Sequence, residues 1–413
     1  MKYINKKKIC RLCNNNKIDQ IVKLCNSPLA NNLANSKKES LNAKNFPLNL
    51  MLCSKCYHVQ LEHVVDAKKL YDQYLYMTGV SKGFRDHFEV YAKKMIKYFK
   101  NSNKNLKILE IGSNDCTLLD NFKNKKWQTV GIEPAKNLYN ITKKKHHIIN
   151  DYYNVKTNKT LKKKFNKFDL IVANNVFAHI DNLKFVFVLL KQFLHNKSLI
   201  VFEVSYLLDV IRKKLFDTIY HEHLDYHSII PLKIFFKKMN LKIINIEHLS
   251  VHGGSIRVFV AKKTSNIIAN NDKINAFIKK EKEYKLIRKK TYVKFYNDLT
   301  IQRNKLNNFF DRLKNEKVYG YGAPAKAVTL INFFNLDHNN IKLIVDDSPL
   351  KQNKYIPGSK IKIYKSQILT KKPPKFIVIL AWNVYEDILK KLKRYKKIKY
   401  AIVPLPKFKL IKL

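Results

Sequence analysis

Residues 218–228, TIYHEHLDYHS, are the densest run of proton-moving groups in the chain. Tyr220, His221, Glu222, His223, Asp225, Tyr226 and His227 fall within eight positions. Imidazole titrates near neutrality, and a phenol or carboxylate beside it sets where its proton goes. Such a run suits acid–base work on a substrate. The zinc-protease pattern fails, because His227 follows His223 by four residues but Glu does not follow His223. The run comes after residues 199–204, LIVFEV, which read as a buried strand. In an α/β sheet, groups just past a strand's carboxyl end face the ligand crevice. A polar surface loop is the plain alternative; the number of titratable groups favours an active-site loop.

A second chemistry lies near the start. Cys10-Arg-Leu-Cys13 is followed by Cys53-Ser-Lys-Cys56. Each pair presents two thiolates from one turn, and four close a tetrahedral zinc site with no open position for catalysis. The interval is longer than in a zinc ribbon, so a hairpin or loop intervenes. Cys25 and Cys116 are left over and read as packing residues.

These groups need elements to position them. Residues 106–115, LKILEIGSND, read as a strand running into a glycine turn, with a helix starting at residues 117–122. Gly112 allows close backbone approach, while Glu110 and Asp115 bring carboxylates. The lysine and glycine run of a phosphate loop is missing. Acidic groups instead suit a cation bearing hydroxyls, such as S-adenosylmethionine. Residues 130–134, VGIEP, give a second strand, and its Glu133 stands where a carboxylate takes ribose hydroxyls. A third strand over 169–173 ends in Asn174-Asn175, with His179 just beyond. The fold class is therefore α/β and doubly wound, with the cofactor across the strand tips.

Residues 71–81, YDQYLYMTGVS, either line a pocket or pack, and a helix follows over 82–100. Residues 252–257, HGGSIR, lead into a strand over 258–261, and 267–312 read as one long helix or a helix pair. Residues 318–326, VYGYGAPAK, form another strand–turn–helix, with Pro324 in the first helical turn. Lys326 at that helix start suits a phosphate, and a purely structural turn is the equal alternative. Strands over 342–345 and 376–381 complete a second α/β domain.

Composition sets the frame. The chain has 413 residues, 46% of them hydrophobic, enough for two or three domains. No long uncharged apolar run exists, so no membrane span is expected. The N-terminus lacks a secretory pattern, so a cytoplasmic protein with reduced or metal-bound cysteines is expected. Lys and Arg number 81 against 31 Asp and Glu, a net charge of +50. A basic stripe would point to nucleic acid. Here the lysines are spread throughout and glycine falls to 9, which is the mark of codon bias. No specific nucleic-acid partner is expected; the field favours anionic substrates.

With these pieces placed, the chain resembles the sugar C-methyltransferases that use S-adenosylmethionine and nucleotide-diphosphate 4-keto-deoxysugars. The resemblance spans nearly the whole length. It rests on the four cysteines, Glu110-Ile-Gly112-Ser-Asn114-Asp115, Ala173-Asn-Asn-Val-Phe-Ala-His179, Phe216-Asp-Thr-Ile-Tyr-His-Glu-His-Leu224, His252-Gly-Gly-Ser-Ile-Arg257, Tyr321-Gly-Ala-Pro-Ala-Lys326, Asp347-Ser-Pro-Leu-Lys-Gln352 and Leu380-Ala-Trp-Asn383. It implies a zinc-binding module over 1–70, a Rossmann-like methyltransferase domain over 71–265, and a second Rossmann-like domain over 266–413 that contributes to nucleotide-sugar binding. It implies methylation of the carbon next to the ketone, carbon 3, through an enolate. His223 is then the base, Tyr220 and Glu222 orient or stabilise the keto–enolate system, and His179 lies close by. Glu222 is the rival base. Glu110, Gly112, Asn114, Asp115, Glu133, Pro134 and Asn174 would hold S-adenosylmethionine. Tyr76, Asn175, His252, Arg257, Lys326 and Asn383 would hold the sugar nucleotide. Zinc on Cys10, Cys13, Cys53 and Cys56 is structural, and a monomer is expected. The family's turn usually has glycine where this chain has Cys116. The competing functions are an RNA methyltransferase and an inactive zinc-containing scaffold.

Overall fold

The computed structural model describes residues 4–67, 70, 77–101, 105–123 and 126–413. Tyr76 and its neighbours over 71–76 lie outside the described residues.

The N-terminal part supplies β1 (Ile4–Lys6), β2 (Ile18–Ser27), β3 (Phe46–Cys53), β4 (Val59–Leu61) and β5 (His63–Val65). β2 and β3 form a long antiparallel hairpin from Ile18 opposite Cys53 to Ser27 opposite Phe46. That hairpin is the insertion required by the gap between the cysteine pairs. It sets Cys53 at a strand end, beside the loop that carries Cys10 and Cys13.

The middle of the chain supplies β6 (Leu106–Ile111), β7 (Trp127–Ile132), β8 (His147–Ile149), β9 (Phe168–Asn174), β10 (Leu194–Ser205), β11 (Asp225–Tyr226), β12 (Leu241–Leu249) and β13 (Ser255–Lys262). Seven of these form one sheet in the order β12-β13-β10-β9-β6-β7-β8. The strands from β6 to β10 are parallel and almost wholly apolar, as a sheet covered on both faces requires. β13 and β12 turn back antiparallel. The chain winds outward from β6 to β8, then returns to lay β9 against the other side of β6. The tips of β6 and β9 thus flank the crevice at the switch point.

The C-terminal part supplies β14 (Val318–Tyr321), β15 (Ile344–Val345), β16 (Ile363–Tyr364), β17 (Phe376–Ile379), β18 (Tyr400–Val403) and β19 (Lys409–Lys412). Their order, β16-β15-β14-β17-β18-β19, repeats the doubly wound pattern, with the switch between β14 and β17. The two sheets are linked by the helices Asn271–Glu283 and Lys289–Arg312, so residues 267–312 are a helix pair.

Two local expectations are corrected. No α-helix starts at 117–122; only the 3-10 turn Leu119–Asn121 forms there. The Asp115 carboxylate accepts from the Thr117 hydroxyl and backbone, and Cys116 takes a left-handed φ of 64°, which interrupts a helical start. Pro324 caps the helix Ala325–Phe333 from an extended conformation instead of occupying its first turn.

One strand crosses the expected domain boundary. β11, inside residues 218–228, pairs antiparallel with β4, Asp225 opposite Gln60 and Tyr226 opposite Val59. It is therefore the edge of the sheet β11-β4-β3-β2. No helix among the described residues is long and apolar enough to cross a membrane.

Candidate active site

The four cysteines come together. Cys10 Sγ lies 3.5 Å from Cys56 Sγ, Cys13 Sγ lies 3.5 Å from Cys53 Sγ, and all four ligand atoms fall within 4.8 Å of one another. Thiolates about 2.3 Å from a tetrahedral ion sit roughly 3.8 Å apart, so this set fits zinc. Arg11, inside the first knuckle, is buried and reaches away from the cysteines. Its Nη1 donates to Leu61 O at 2.8 Å and Leu224 O at 3.3 Å, and its Nε donates to Asp181 at 3.2 Å. The knuckle thereby grips the backbone of the catalytic run.

The crevice at the β6 and β9 tips opens into a cavity of about 320 Å³, within the range of small-molecule sites. Glu110, Gly112, Asn114, Asp115, Pro134, Asn174, Asn175 and His179 line it. Asn174 donates to Glu110 Oε1 at 3.4 Å. Glu110 Oε2 and Asn174 Oδ1 are buried with no hydrogen-bond partner among the described residues. Burial pushes the Glu110 carboxyl well above the usual carboxylate range, and Asp115 and Glu133 add to this. A cation brought beside it would reverse that shift. Orphaned acceptors and a desolvated carboxyl fit the ammonium, sulfonium and ribose of S-adenosylmethionine. Gly112 has φ 67°, and a Cβ there would stand 2.6 Å from Val176 Cγ2. No side chain can replace it without moving the β9 exit.

Glu133 differs from the expectation. It does not line the cavity. Its two oxygens accept Asn114 N and Ala135 N, each at 2.8 Å, so the carboxylate braces the glycine turn from behind. Burial raises it to about 7. Asn114 Oδ1 accepts Thr78 N at 3.0 Å and Asp115 accepts Gly79 N at 2.6 Å, tying residues 78–80 across the mouth. Thr78, from the 71–81 stretch, lines the cavity, and so do Phe84, Phe88, Tyr152 and Tyr153, which were not expected there. The Tyr pair just beyond β8 was the available hint; nothing in the spacing distinguished the others from core residues.

Within the catalytic run the structure separates two roles. Tyr220 and His223 are half-buried; the other titratable groups are buried. His221 Nε2 donates to Phe46 O at 3.2 Å, and His227 Nε2 to Phe177 O at 3.4 Å. Asp225 lies 2.8 Å from His58 Nε2. Glu222 accepts Asn31 Nδ2 at 2.6 Å. Most of the run is therefore a buried polar lock between the sheets.

The remaining pair is arranged for proton transfer. His223 Nδ1 lies 2.8 Å from Thr218 O, a pure acceptor, so Nδ1 carries the hydrogen. Nε2 is then the lone-pair nitrogen, and the Tyr220 hydroxyl donates to it at 3.0 Å. The rings stack at 4.2 Å. Burial lowers His223 to about 4, the Thr218 carbonyl opposes this, and Lys326 adds to it; the ring is neutral at pH 7. His179 lies edge-on to His223 at 5.0 Å, also held neutral by burial, and lines the cofactor cavity. The His223 imidazole, the Tyr220 phenol and the cavity are thus contiguous.

The C-terminal domain reaches this point. Lys326 Nζ sits 4.2 Å over the Trp382 ring, and the Trp382 indole N–H donates to Asp217. His252 packs on Phe84 at 4.8 Å and is lowered to about 3 by burial, then Lys326, His223 and His87. Lys326 Nζ is therefore buried over Trp382, next to the indole that reaches Asp217, and not at an open phosphate cradle. Arg257, expected at the substrate, faces Glu203 across the β10–β13 register. It donates to Glu203 at 2.7 Å and Glu247 at 3.0 Å and stacks on Tyr91 at 3.8 Å, clear of the cavity. Asn383 is exposed; its neighbour Trp382 is the residue that turns inward.

Comparison with known proteins agrees with this layout. Family models match three consecutive stretches: a zinc binding domain over residues 10–71, a methyltransferase domain over 84–246, and a C-methyltransferase C-terminal domain over 250–406. The C-methyltransferase NovU of Streptomyces niveus is 26% identical over 406 residues, covering 97% of this chain and 96% of its own. Taken in this order, the three domains are those of a C-methyltransferase. The enzyme uses S-adenosylmethionine as methyl donor and carries zinc on its four cysteines. Solved structures similar to it include an S-adenosylmethionine-dependent methyltransferase from Clostridium acetobutylicum, 13% identical, with 42% of this chain and 92% of that one covered at a TM-score of 0.35. Another is the magnesium protoporphyrin IX methyltransferase of Synechocystis with bound S-adenosylmethionine, 8% identical, covering 44% and 80% at 0.33.

Proposed function

We propose that the enzyme methylates carbon 3 of a nucleotide-diphosphate 4-keto-deoxyhexose, making a branched-chain sugar by way of an enolate. The observation that carries this reading is the Tyr220–His223 pair, a neutral imidazole with its lone pair on a phenol hydroxyl, next to the cofactor cavity. A carbon flanking a ketone is acidic only if a base takes the proton as the oxygen takes the charge. His223 Nε2 accepts the α-proton. Tyr220, released from Nε2, turns its O–H toward the ketone oxygen. Glu222 orients or stabilises the keto–enolate system, and His179 stands edge-on to His223. Bound S-adenosylmethionine supplies an electrophilic methyl on sulfonium; Glu110, Asn174 and the Gly112 turn would hold it. The basic surface favours capture of a diphosphate. The C-terminal domain contributes to the nucleotide-sugar site through the Lys326 side of the pocket.

The test is hydrogen exchange at the substrate's α-carbon in deuterated water, over thymidine-, cytidine- and guanosine-diphosphate 4-keto-deoxysugars. Wild-type enzyme should exchange and methylate one class of these. A general base contributes about 10²–10⁴ in rate. His223→Ala should slow exchange and turnover by that order, with S-adenosylmethionine affinity near wild type. If His223→Ala exchanges normally while Glu222→Gln does not, Glu222 is the base. If wild-type enzyme acts on none of the panel, the sugar reading fails.

A further inference from the structure

We propose that Lys326 is a catalytic residue: its ammonium, brought in by the C-terminal domain, holds the oxygen that becomes negative when the ketone's α-proton leaves. This rests on the keto-sugar reading above and adds the group that stabilises the enolate.

The geometry starts with an unmet requirement. An ammonium has three donors. Lys326 Nζ is closed off from solvent, yet it has no hydrogen-bond partner among the described residues. Unsatisfied buried donors are rare in native proteins because each forfeits its hydration, and a charged one forfeits more. They persist where a ligand completes them. Lys326 is the second residue of the helix Ala325–Phe333, so its backbone is fixed. Its Nζ rests on the Trp382 face at 4.2 Å, which steadies a cation without using up its donors. Asp217 supplies the counter-charge, but its carboxylate is held by the Trp382 indole N–H and makes no ion pair with Lys326. The positive charge is compensated nearby and still has its hydrogens to offer.

The surroundings fix where those hydrogens are offered. Trp382, under Nζ, donates to Asp217 and its ring lies against Gly253. Thr329, one turn on from Lys326, donates to Ile219 O at 3.3 Å, so this end of the helix sits against residues 217–219 and 252–254. The Lys326 charge accordingly acts on both His223 and His252. Burial lowers the Lys326 pKa and Asp217 opposes this. A cation beside a neutral base, with the phenol of Tyr220 on that same base, is the arrangement enolisation needs. The C–H bond breaks, its proton goes to His223 Nε2, its electron pair forms the C=C bond, and the carbonyl π pair moves to oxygen. Lys326 meets that oxygen with N–H donors and a full positive charge, and no proton need cross to it. Such charge-matched donors act mainly on the transition state.

The experiment uses full-length enzyme and the sugar nucleotide that wild type turns over. Losing one donor of this kind costs about 10²–10³ in rate. Lys326→Met should slow α-hydrogen exchange without S-adenosylmethionine by at least about a hundredfold and lower kcat in parallel, with KM and S-adenosylmethionine affinity little changed. Lys326→Arg keeps the charge and should recover part of the exchange rate; it also guards against a Met variant that misfolds. Wild-type exchange rates in both variants would overturn the proposal while leaving the keto-sugar reading intact. Borohydride trapping of a covalent substrate adduct on Lys326 would overturn it too, by replacing electrostatic stabilisation with an imine. If wild-type enzyme neither exchanges nor methylates any sugar nucleotide, it is the underlying reading that fails.

Discussion

The two doubly wound domains build the same turn and use it differently. In the first, Gly112 N donates to Ile132 O at 2.8 Å; in the second, Gly322 N donates to Val345 O at 2.7 Å. A Cβ on Gly112 would strike Val176, just past β9, and one on Gly322 would strike Ala381, just past β17. Glu133, after β7, accepts Asn114 N at 2.8 Å; Asp346, after β15, accepts Ala323 N at 2.6 Å. Strand order, glycine, brace and close approach all correspond. What differs is the exit. The first turn runs through left-handed Asn114 and Cys116 into a single 3-10 turn, leaving a cavity. The second passes straight through Pro324 into a helix, and its first turn sets Lys326 over Trp382, whose indole reaches Asp217 of the other domain. One turn receives a ligand and the other delivers a side chain. The fold alone does not decide between these; the three or four residues after the glycine do.

That contrast can be broken by removing each brace. Glu133→Ala should weaken S-adenosylmethionine binding by about ten- to a hundredfold by calorimetry, since a charge-assisted hydrogen bond is worth roughly 1.5–3 kcal/mol. Saturating cofactor should restore most of its kcat. Asp346→Ala should do the reverse: S-adenosylmethionine affinity unchanged and kcat down by about tenfold, because Lys326 loses its fixed backbone. If Asp346→Ala weakens the cofactor and spares kcat, the second turn is a binding element and the contrast is false. The smallest effect belongs to Cys116→Gly. A left-handed φ costs a side-chain-bearing residue about 1–2 kcal/mol, but glycine forfeits the buried thiol's packing and gains freedom when unfolded. Denaturant melts should put the variant within about 1 kcal/mol of wild type. A change beyond about 2 kcal/mol either way would show that one of these terms had been misjudged.

Some of this was legible in the residues and some was not, for physical reasons. The cysteines announce themselves because a metal demands a fixed ligand number at short spacing. The strand tips announce themselves because apolar runs stop at Glu110, Glu133 and Asn174. Tyr220 and His223 stood out only as members of a crowd. What separates them from His221 and His227 is burial against Phe46 and Phe177, distant in sequence. Arg257 misled for the same reason. Its partners, Glu203 and Glu247, come from register across two strand pairs, and an arginine in a glycine-rich stretch looks identical whether it meets a substrate or a glutamate. The brace role of Glu133 was hidden because a carboxylate at that position serves a ribose or a backbone amide equally well.

The edge strand β11 has a consequence for how the enzyme is made. Residues 219–228 have no helix of their own to hold them. They are hydrogen-bonded to β4 and Arg11 on one side, and to Ala178 O through Leu224 N and Asp225 N on another. On a third side, Thr329 donates to Ile219 O and Trp382 reaches Asp217. Trp382 and Thr329 follow this run by more than a hundred residues. Residues 217–219 therefore acquire these neighbours only after the C-terminal domain has been made and has docked. A chain cut after the methyltransferase sheet would leave that third side of the run uncovered.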